Sequence, residues 1–385
     1  MRERTDLPFP MEEYNRRLQE LRQRMENQGV EVMLTTTPEN ITYLTGFETP
    51  GNWYFMGLLV PLEGEPVSVS RLAEDTGVEA ISWIETRRPY RDFDHPIDVL
   101  QEAVQEFGWH DKRIGFEKNC WFFTADQQEK LFAGCQQATF IDCAGILEAA
   151  RLIKSDYEIE WMRKGARCAE IGMQAGIDAV QAGVHEYDVA ADILHAMTKA
   201  GSEWPALVPF VASGERGAIV HATWTDRVIQ NGDIVLLEVG GCFKRYHGVM
   251  MRTGFVGEPS QQARDAEKIV QEAVQLTLDS IKPGMTAHEV DAVGRTFIAN
   301  SSFGGVQASR SAYSLGLAVP PDWGEGHILS FYPGNNHVIE PNMTFHLLPW
   351  VQIPGKGGVS FSETIRITEN GCETLTNFER ALFVK

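Results

Sequence analysis

The chain changes its periodic character once, at Arg151-Leu-Ile-Lys-Ser-Asp156, and that change restricts it to two-part architectures. Before it, short apolar runs alternate with short amphipathic ones. Residues 10–28 carry Met11, Tyr14, Leu18, Leu21 and Met25 at helical spacing, and Gly29 closes the helix. Residues 30–34, 56–61, 66–70, 113–117 and 139–142 read as strands, and 98–107 and 126–132 as helices. That rhythm predicts an open α/β layer over residues 1–154. After the change, Ser155 stands three residues before Glu158, the spacing of a capping box that opens a long helix. Helices over 186–200 and 261–281 follow, and Thr286-Ala-His-Glu289 opens another. With strands over 234–239 and 360–367, residues 155–385 read as an α+β domain.

Composition narrows the function classes. A chain of 385 residues fits two domains of about 100–200 residues each. Its 53 acidic against 34 basic side chains give a net charge of -19, which would repel a polyphosphate, so no nucleic-acid partner is expected. A small cationic or zwitterionic substrate suits that charge, although a salt-adapted host would produce the same excess. No stretch reaches 18 uncharged apolar residues, and the first twenty residues lack an apolar signal core. No membrane contact and a cytoplasmic location are therefore expected. Cys120, Cys135, Cys143, Cys168, Cys242 and Cys372 are scattered without a CxxC pair, which predicts reduced thiols rather than disulfides or a zinc site.

Four segments carry the chemistry. Val211-Ala-Ser-Gly-Glu-Arg-Gly-Ala-Ile-Val-His-Ala-Thr-Trp224 sets His221 past a Ser/Gly-rich loop, near Arg216 and Trp224. Asn231-Gly-Asp-Ile-Val-Leu-Leu-Glu-Val-Gly-Gly241 interrupts an apolar strand with Glu238. Burying a lone carboxylate costs several kcal/mol, so Glu238 must be paired, hydrogen-bonded or at work. Arg245-Tyr-His-Gly-Val-Met-Met-Arg-Thr253 contains His247, and Phe361-Ser-Glu-Thr-Ile-Arg-Ile367 sets Glu363 in another apolar strand. The glycines at 240–241 fit a bulge or close strand packing and form no phosphate loop.

The order of these segments, with the apolar-Pro strand end at Pro349 and the late Ser-Glu-Thr strand, resembles the creatinase/aminopeptidase P family. That resemblance implies a small α/β N-terminal domain, residues 1–154, followed by a pita-bread catalytic domain, residues 155–385. Metal-dependent members hold two ions with an ordered Asp, Asp, His, Glu and Glu. On this chain those positions fall on Glu238, Val249, Tyr313, Leu348 and Glu363. Valine and leucine coordinate nothing, so the resemblance implies no dimetal centre, no metal and no cofactor. His247 and His346 leave a shifted single site as an alternative. Pro320-Pro-Asp-Trp-Gly-Glu325, Asn342-Met-Thr-Phe-His-Leu-Leu-Pro349 and Gly240-Gly-Cys-Phe-Lys-Arg-Tyr-His247 look most like the metal-free ectoine hydrolase branch. The implied reaction is hydrolytic opening of a cyclic amidine through a glutamyl intermediate. The implied assembly is a homodimer.

On that reading Glu238 is the nucleophile, His221 the proton shuttle, and Glu363 a second carboxylate that holds the substrate amine or orients His221. Trp224, Tyr313 and Trp323 would cage the cation, and Arg216 or Arg310 would take a substrate carboxylate. His247 is a further substrate-binding candidate. Each has a plainer alternative. Glu238 could be neutralised by Arg252 or Lys244, Glu363 could be half of an ion pair, and Tyr313 could only fill volume. His346 reads as a satisfied core histidine, and Asp322 and Glu325 as solvated loop charges. Two rival functions remain: a metal-dependent Xaa-Pro dipeptidase, and an inactive pita-bread protein that binds peptides or partners.

Overall fold

The computed structural model describes residues 2–304 and 309–385. The chain divides into two compact units, Met1–Arg151 and Leu152–Lys385.

In the first unit, six strands form one mixed sheet: β1 (Val32–Thr35), β2 (Gly57–Pro61), β3 (Val67–Arg71), β4 (Thr86–Tyr90), β5 (Arg113–Phe116) and β6 (Thr139–Asp142). Their order is β4-β3-β2-β1-β5-β6. β1 pairs antiparallel with β2 and parallel with β5, so the sheet grows outward on both sides of its buried central strand. Helices α1 (Met11–Asn27), α2 (Pro38–Thr45), α3 (Leu72–Ile81), α4 (Pro96–Glu106), α5 (Ala125–Gly134) and α6 (Ile146–Arg151) complete the layers. The residues expected to line one face of α1 are all buried, and Gly29 ends that helix at φ +65°, where a side chain would be strained.

The second unit repeats one plan. α7 (Asp156–Ala179) and α8 (Glu186–Lys199) precede the antiparallel strands β7 (Phe210–Ser213), β8 (Ile234–Phe243) and β9 (Tyr246–Phe255). α9 (Gln261–Ser280) and α10 (Ala287–Ala299) then precede β10 (Ala312–Ser314), β11 (Ser330–Phe331), β12 (Thr344–Leu347), the hairpin β13 (Trp350–Ile353) and β14 (Gly357–Ser360), β15 (Glu363–Ile367), β16 (Cys372–Thr374) and β17 (Phe383–Val384). The capping boxes at Ser155/Glu158 and Thr286/Glu289 both form. One sheet runs β17-β9-β8-β7, a second β11-β10-β12-β15-β16, and β13-β14 stands as a two-stranded sheet of its own.

Hydroxyls stitch β9 to the chain that runs through β14 and β15. Val249 N–H donates to Thr364 Oγ1 at 2.8 Å, Met251 N–H to Ser362 Oγ at 2.6 Å, and Ser360 N–H to Thr253 Oγ1 at 2.9 Å. Side chains thus complete hydrogen bonds that a continuous ladder would have made.

α7 lies flush on β8 and β9 because small residues meet there. Gly241 and Gly248 are partners across the ladder, and a Cβ at Gly165 would sit 2.9 Å from Gly241 O and 3.0 Å from Tyr246 O. A Cβ at Gly248 would collide with the Ala166 backbone. We therefore expect Gly248→Ala to cost about 1–3 kcal/mol through overpacking, seen as a lower urea midpoint at unchanged slope. An unchanged midpoint would mean that α7 can ride away from the sheet freely.

Glu325 departs from its expected solvated position. The segment after Pro321 turns back on β10, with Glu325 N–H donating to Ser314 O at 2.7 Å. Its carboxylate is buried against Lys154 Nζ at 2.7 Å, both side chains 1% exposed. Lys154 belongs to the junction where the sequence changed character.

Candidate active site

Glu238 sits in the interior of β8, where the alternation of the strand puts it on the same face as Gly240. Its cross-strand neighbours are Phe210 on β7 and Met251 on β9. The side chain is buried. Burial, with a smaller contribution from the charge of Asp322, lifts its pKa to about 8. The carboxyl is therefore mostly neutral at pH 7, and an incoming cation would favour its ionised form.

Missing side-chain volume at Gly240 is filled by Trp323. A Cβ on Gly240 would lie 2.6 Å from the indole, and the indole also packs on Phe210, with centroids 5.4 Å apart. Trp323 Nε1–H donates to Tyr313 Oη at 2.9 Å. Tyr313 Oη lies 2.8 Å from His346 Nδ1, and His346 Nε2 lies 2.6 Å from Ser362 Oγ. Arg310 holds its guanidinium 4.3 Å from the Tyr313 ring centroid. Burial, followed by the nearby Glu238 charge, holds the Tyr313 phenol well above its ordinary pKa. Burial and then Arg310 pull His346 down to about 3, so its imidazole is neutral at physiological pH.

His221 stands on the exposed loop between β7 and β8, with its ring 5.8 Å from that of Phe210. Phe210 thus touches both His221 and Trp323 while pairing with Glu238 across the ladder. His221 adopts φ 63°, a left-handed conformation uncommon for a residue with a side chain. The loop is tied down by Glu186 at the start of α8. Its fully buried carboxylate accepts from Ser213 N and Oγ at 2.8 Å, from Thr225 N and Oγ1 at 3.0 Å, and from Arg216. Arg216 is consumed in that anchoring and also donates to Thr223 O. Of the two candidate carboxylate-binding arginines, Arg310 is the one at Tyr313.

The remaining candidates sit elsewhere. His247 is fully buried. It donates from Nδ1 to Arg245 O at 3.1 Å and accepts from Ala206 N–H at Nε2, also at 3.1 Å. Glu363 pairs with Arg252 Nη2 at 2.7 Å and accepts from Thr376 Oγ1. Burial pushes Glu363 upward even against those partners. Its neighbour Ser362, on the opposite face of the chain, is the residue that meets His346 Nε2. Trp224 is half-buried against the core beneath α8. Sequence reasoning missed Phe210, Ser362 and Glu186. For Ser362 the usable signal was parity, because residues 362 and 363 on one extended chain face opposite ways.

The donor set can be tested against the metal pair of the resembled family. The Val249 and Leu348 side chains offer no lone pair, Glu363 is committed to Arg252, and His346 bonds to both Tyr313 and Ser362. Among the described residues no group of three or more His, Cys, Asp or Glu side chains could hold a metal ion. The residues present do not fit a dimetal centre.

Residues 160–369 match the family described as Metallopeptidase family M24. The chain belongs to that family. Residues 17–153 match the Creatinase/Prolidase N-terminal domain. As a family M24 hydrolase with a pita-bread fold, the chain is 33% identical over 402 residues to an ectoine hydrolase from Halomonas elongata, spanning 98% of this chain and 99% of that one. Dipeptidase PepE from Mycobacterium ulcerans superposes with a TM-score of 0.84 at 25% identity, over 98% of this chain and 99% of its own. A prolidase from Pyrococcus horikoshii OT3 gives 0.84 at 26% identity, over 96% and 100%. Among the described residues no helix is long and apolar enough to cross a membrane.

Proposed function

We propose that this family M24 member is a metal-independent hydrolase that opens a cyclic amidine, ectoine or a close relative, to an N-acetyl-diaminobutyrate. The observation that carries the proposal is Glu238, a buried carboxyl surrounded by Phe210, Trp323 and Tyr313 where a metal-dependent relative would place ligands. An amidinium carbon is electrophilic, and its positive charge attracts a carboxylate. Glu238 forms a C–O bond to that carbon, and one ring C–N bond breaks as its nitrogen gains a proton. Water then cleaves the glutamyl intermediate, which restores Glu238 and leaves an acetamide. His221 moves protons between that water and the leaving nitrogen, work worth about 10²–10⁴-fold in rate. Trp323 and Tyr313 supply aromatic faces for the cation, each worth about 0.5–2 kcal/mol, and Arg310 is placed for the substrate carboxylate. A homodimer is part of the same reading.

The likeness to a prolidase keeps metal-dependent Xaa-Pro cleavage as the second reading. Chelator-treated protein mixed with ectoine should show, by intact mass, an adduct that maps to the Glu238 peptide, with product in solution. Absence of both, together with Xaa-Pro cleavage that appears only on adding metal, would replace this reading with the second.

A further inference from the structure

The hydrogen bonds from Trp323 to Met251 form one chain whose proton positions follow from counting donors and acceptors. Met251 N–H donates to Ser362 Oγ, and Trp323 Nε1–H donates to Tyr313 Oη. Between those fixed ends lie two hydroxyl protons and the single N–H of a neutral imidazole. Two arrangements are possible. If His346 carries its proton on Nε2, it donates to Ser362 Oγ, and Tyr313 donates to Nδ1. The Ser362 hydroxyl proton is then left without an acceptor, at a residue 0% exposed. If His346 carries its proton on Nδ1, Ser362 donates to Nε2 and His346 donates to Tyr313 Oη. Trp323, His346 and Ser362 are then satisfied, and the one uncommitted proton is on the Tyr313 hydroxyl, at a residue 6% exposed in the cluster with Trp323 and Glu238. An unpaired hydroxyl costs about 1–3 kcal/mol where neither water nor substrate can reach it, so the uncommitted proton belongs on Tyr313, the less enclosed of the two, which is the second arrangement.

We propose that Ser362 and His346 are positioning residues that lock Tyr313 as an outward hydrogen-bond donor in the Glu238 site, where its hydroxyl meets the lone pair that develops on the leaving nitrogen. The inference rests on the amidine-hydrolase reading for the identity of that acceptor, but not for the orientation of the proton. Tyr313 Oη, receiving N–H groups from Trp323 and His346, has its lone pairs occupied and cannot act as an acceptor. The site therefore takes a substrate that accepts at this point and disfavours one that presents an N–H there. Because the orientation is fixed before substrate arrives, no reorganisation is needed during the reaction.

Nitrogen-15 labelling of histidine, read by long-range proton correlation, tests the orientation in the resting protein. The His346 signals are those missing from a His346→Asn variant. Protonation at Nδ1 is expected, and protonation at Nε2 overturns the proposal. Kinetics test its consequence. Tyr313→Phe should lower kcat by about 10²–10³ with KM changing far less, the usual cost of removing one preorganised donor. His346→Leu should lose most of that factor. His346→Asn should recover most of it, since its amide N–H can replace Nδ1–H. Equal kcat for the leucine variant and the wild type would also overturn the proposal. If no amidine is turned over at all, the function assigned above fails, while the tautomer still decides whether the relay is built as described.

Discussion

Glu238→Gln should abolish turnover and make the protein more stable at alkaline pH, two effects of opposite sign from one substitution. Loss of activity follows because an amide cannot attack the amidine carbon, and the nearby Asp322 carboxylate is exposed and accepts from Gly324 N–H. Loss of at least about 10³-fold is expected where a nucleophile is removed and only binding remains. The stability effect follows from the pKa of about 8 in the folded chain against 4.5 for an ordinary glutamate. Between those values the folded state keeps a proton that the unfolded state releases. The resulting stability is fully present below about pH 4.5 and is lost as pH rises through about 8. Glutamine carries no such slope, so the variant should draw level at pH 5 and lead by a few kcal/mol, on the order of 1.4 per unit of pKa difference, at pH 9. Urea unfolding of both proteins at pH 5, 7 and 9 measures the gap, and a gap independent of pH would show that Glu238 is ionised normally when folded. The same shift predicts that kcat/KM of the wild type rises with pH through about 8, as the free enzyme gains the nucleophilic form.

The fold was legible where local chemistry was strong and illegible where tertiary contact decided. Both capping boxes named their helices, because a serine or threonine three residues before a glutamate satisfies helix ends without outside help. β4 (Thr86–Tyr90) reads Thr-Arg-Arg-Pro-Tyr, which has no alternation, and its place beside β3 is set by pairing alone. α2 (Pro38–Thr45) is buried along nearly its whole length, so no amphipathic stripe marks it. At the site, Glu238 was visible as a carboxylate inside an apolar strand, and Glu363 looked the same for the same reason. Three-dimensional pairing separates them: Glu238 faces aromatics, and Glu363 faces Arg252. His346 shows the limit from the other side. It is a satisfied core histidine, as its apolar strand implies, yet its two partners, Tyr313 and Ser362, are 33 and 16 residues away in sequence. Nothing in a linear pattern links those three positions.

Arg252→Met is the substitution expected to destabilise the fold most. Arg252 is 0% exposed. It donates to the carbonyls of Met251, Ser362, Phe378 and Glu379 at 2.7–2.8 Å, besides pairing with Glu363. Methionine fills the space but leaves four carbonyls without this donor and Glu363 with the Thr376 hydroxyl and the more distant Arg380, at 3.7 Å. Breaking a buried pair from one side costs about 3–5 kcal/mol, which circular dichroism on urea titration would read directly. Glu363→Gln is the informative contrast, since its amide oxygen can still accept from Arg252 while its amide N–H donates to the Thr376 hydroxyl. It should cost only about 1–3 kcal/mol and leave kcat within a few-fold of wild type. A fall of orders of magnitude would instead put Glu363 in contact with substrate. The two effects separate anchoring from chemistry at this seam. Arg252 grips the backbone oxygens of Met251 and Ser362, and Met251 N–H and Ser362 Oγ are the foot of the chain that ends at Tyr313. The ion pair behind the sheet therefore holds still the residues that orient the phenol in front of it, and its carboxylate need never meet the substrate to matter for catalysis.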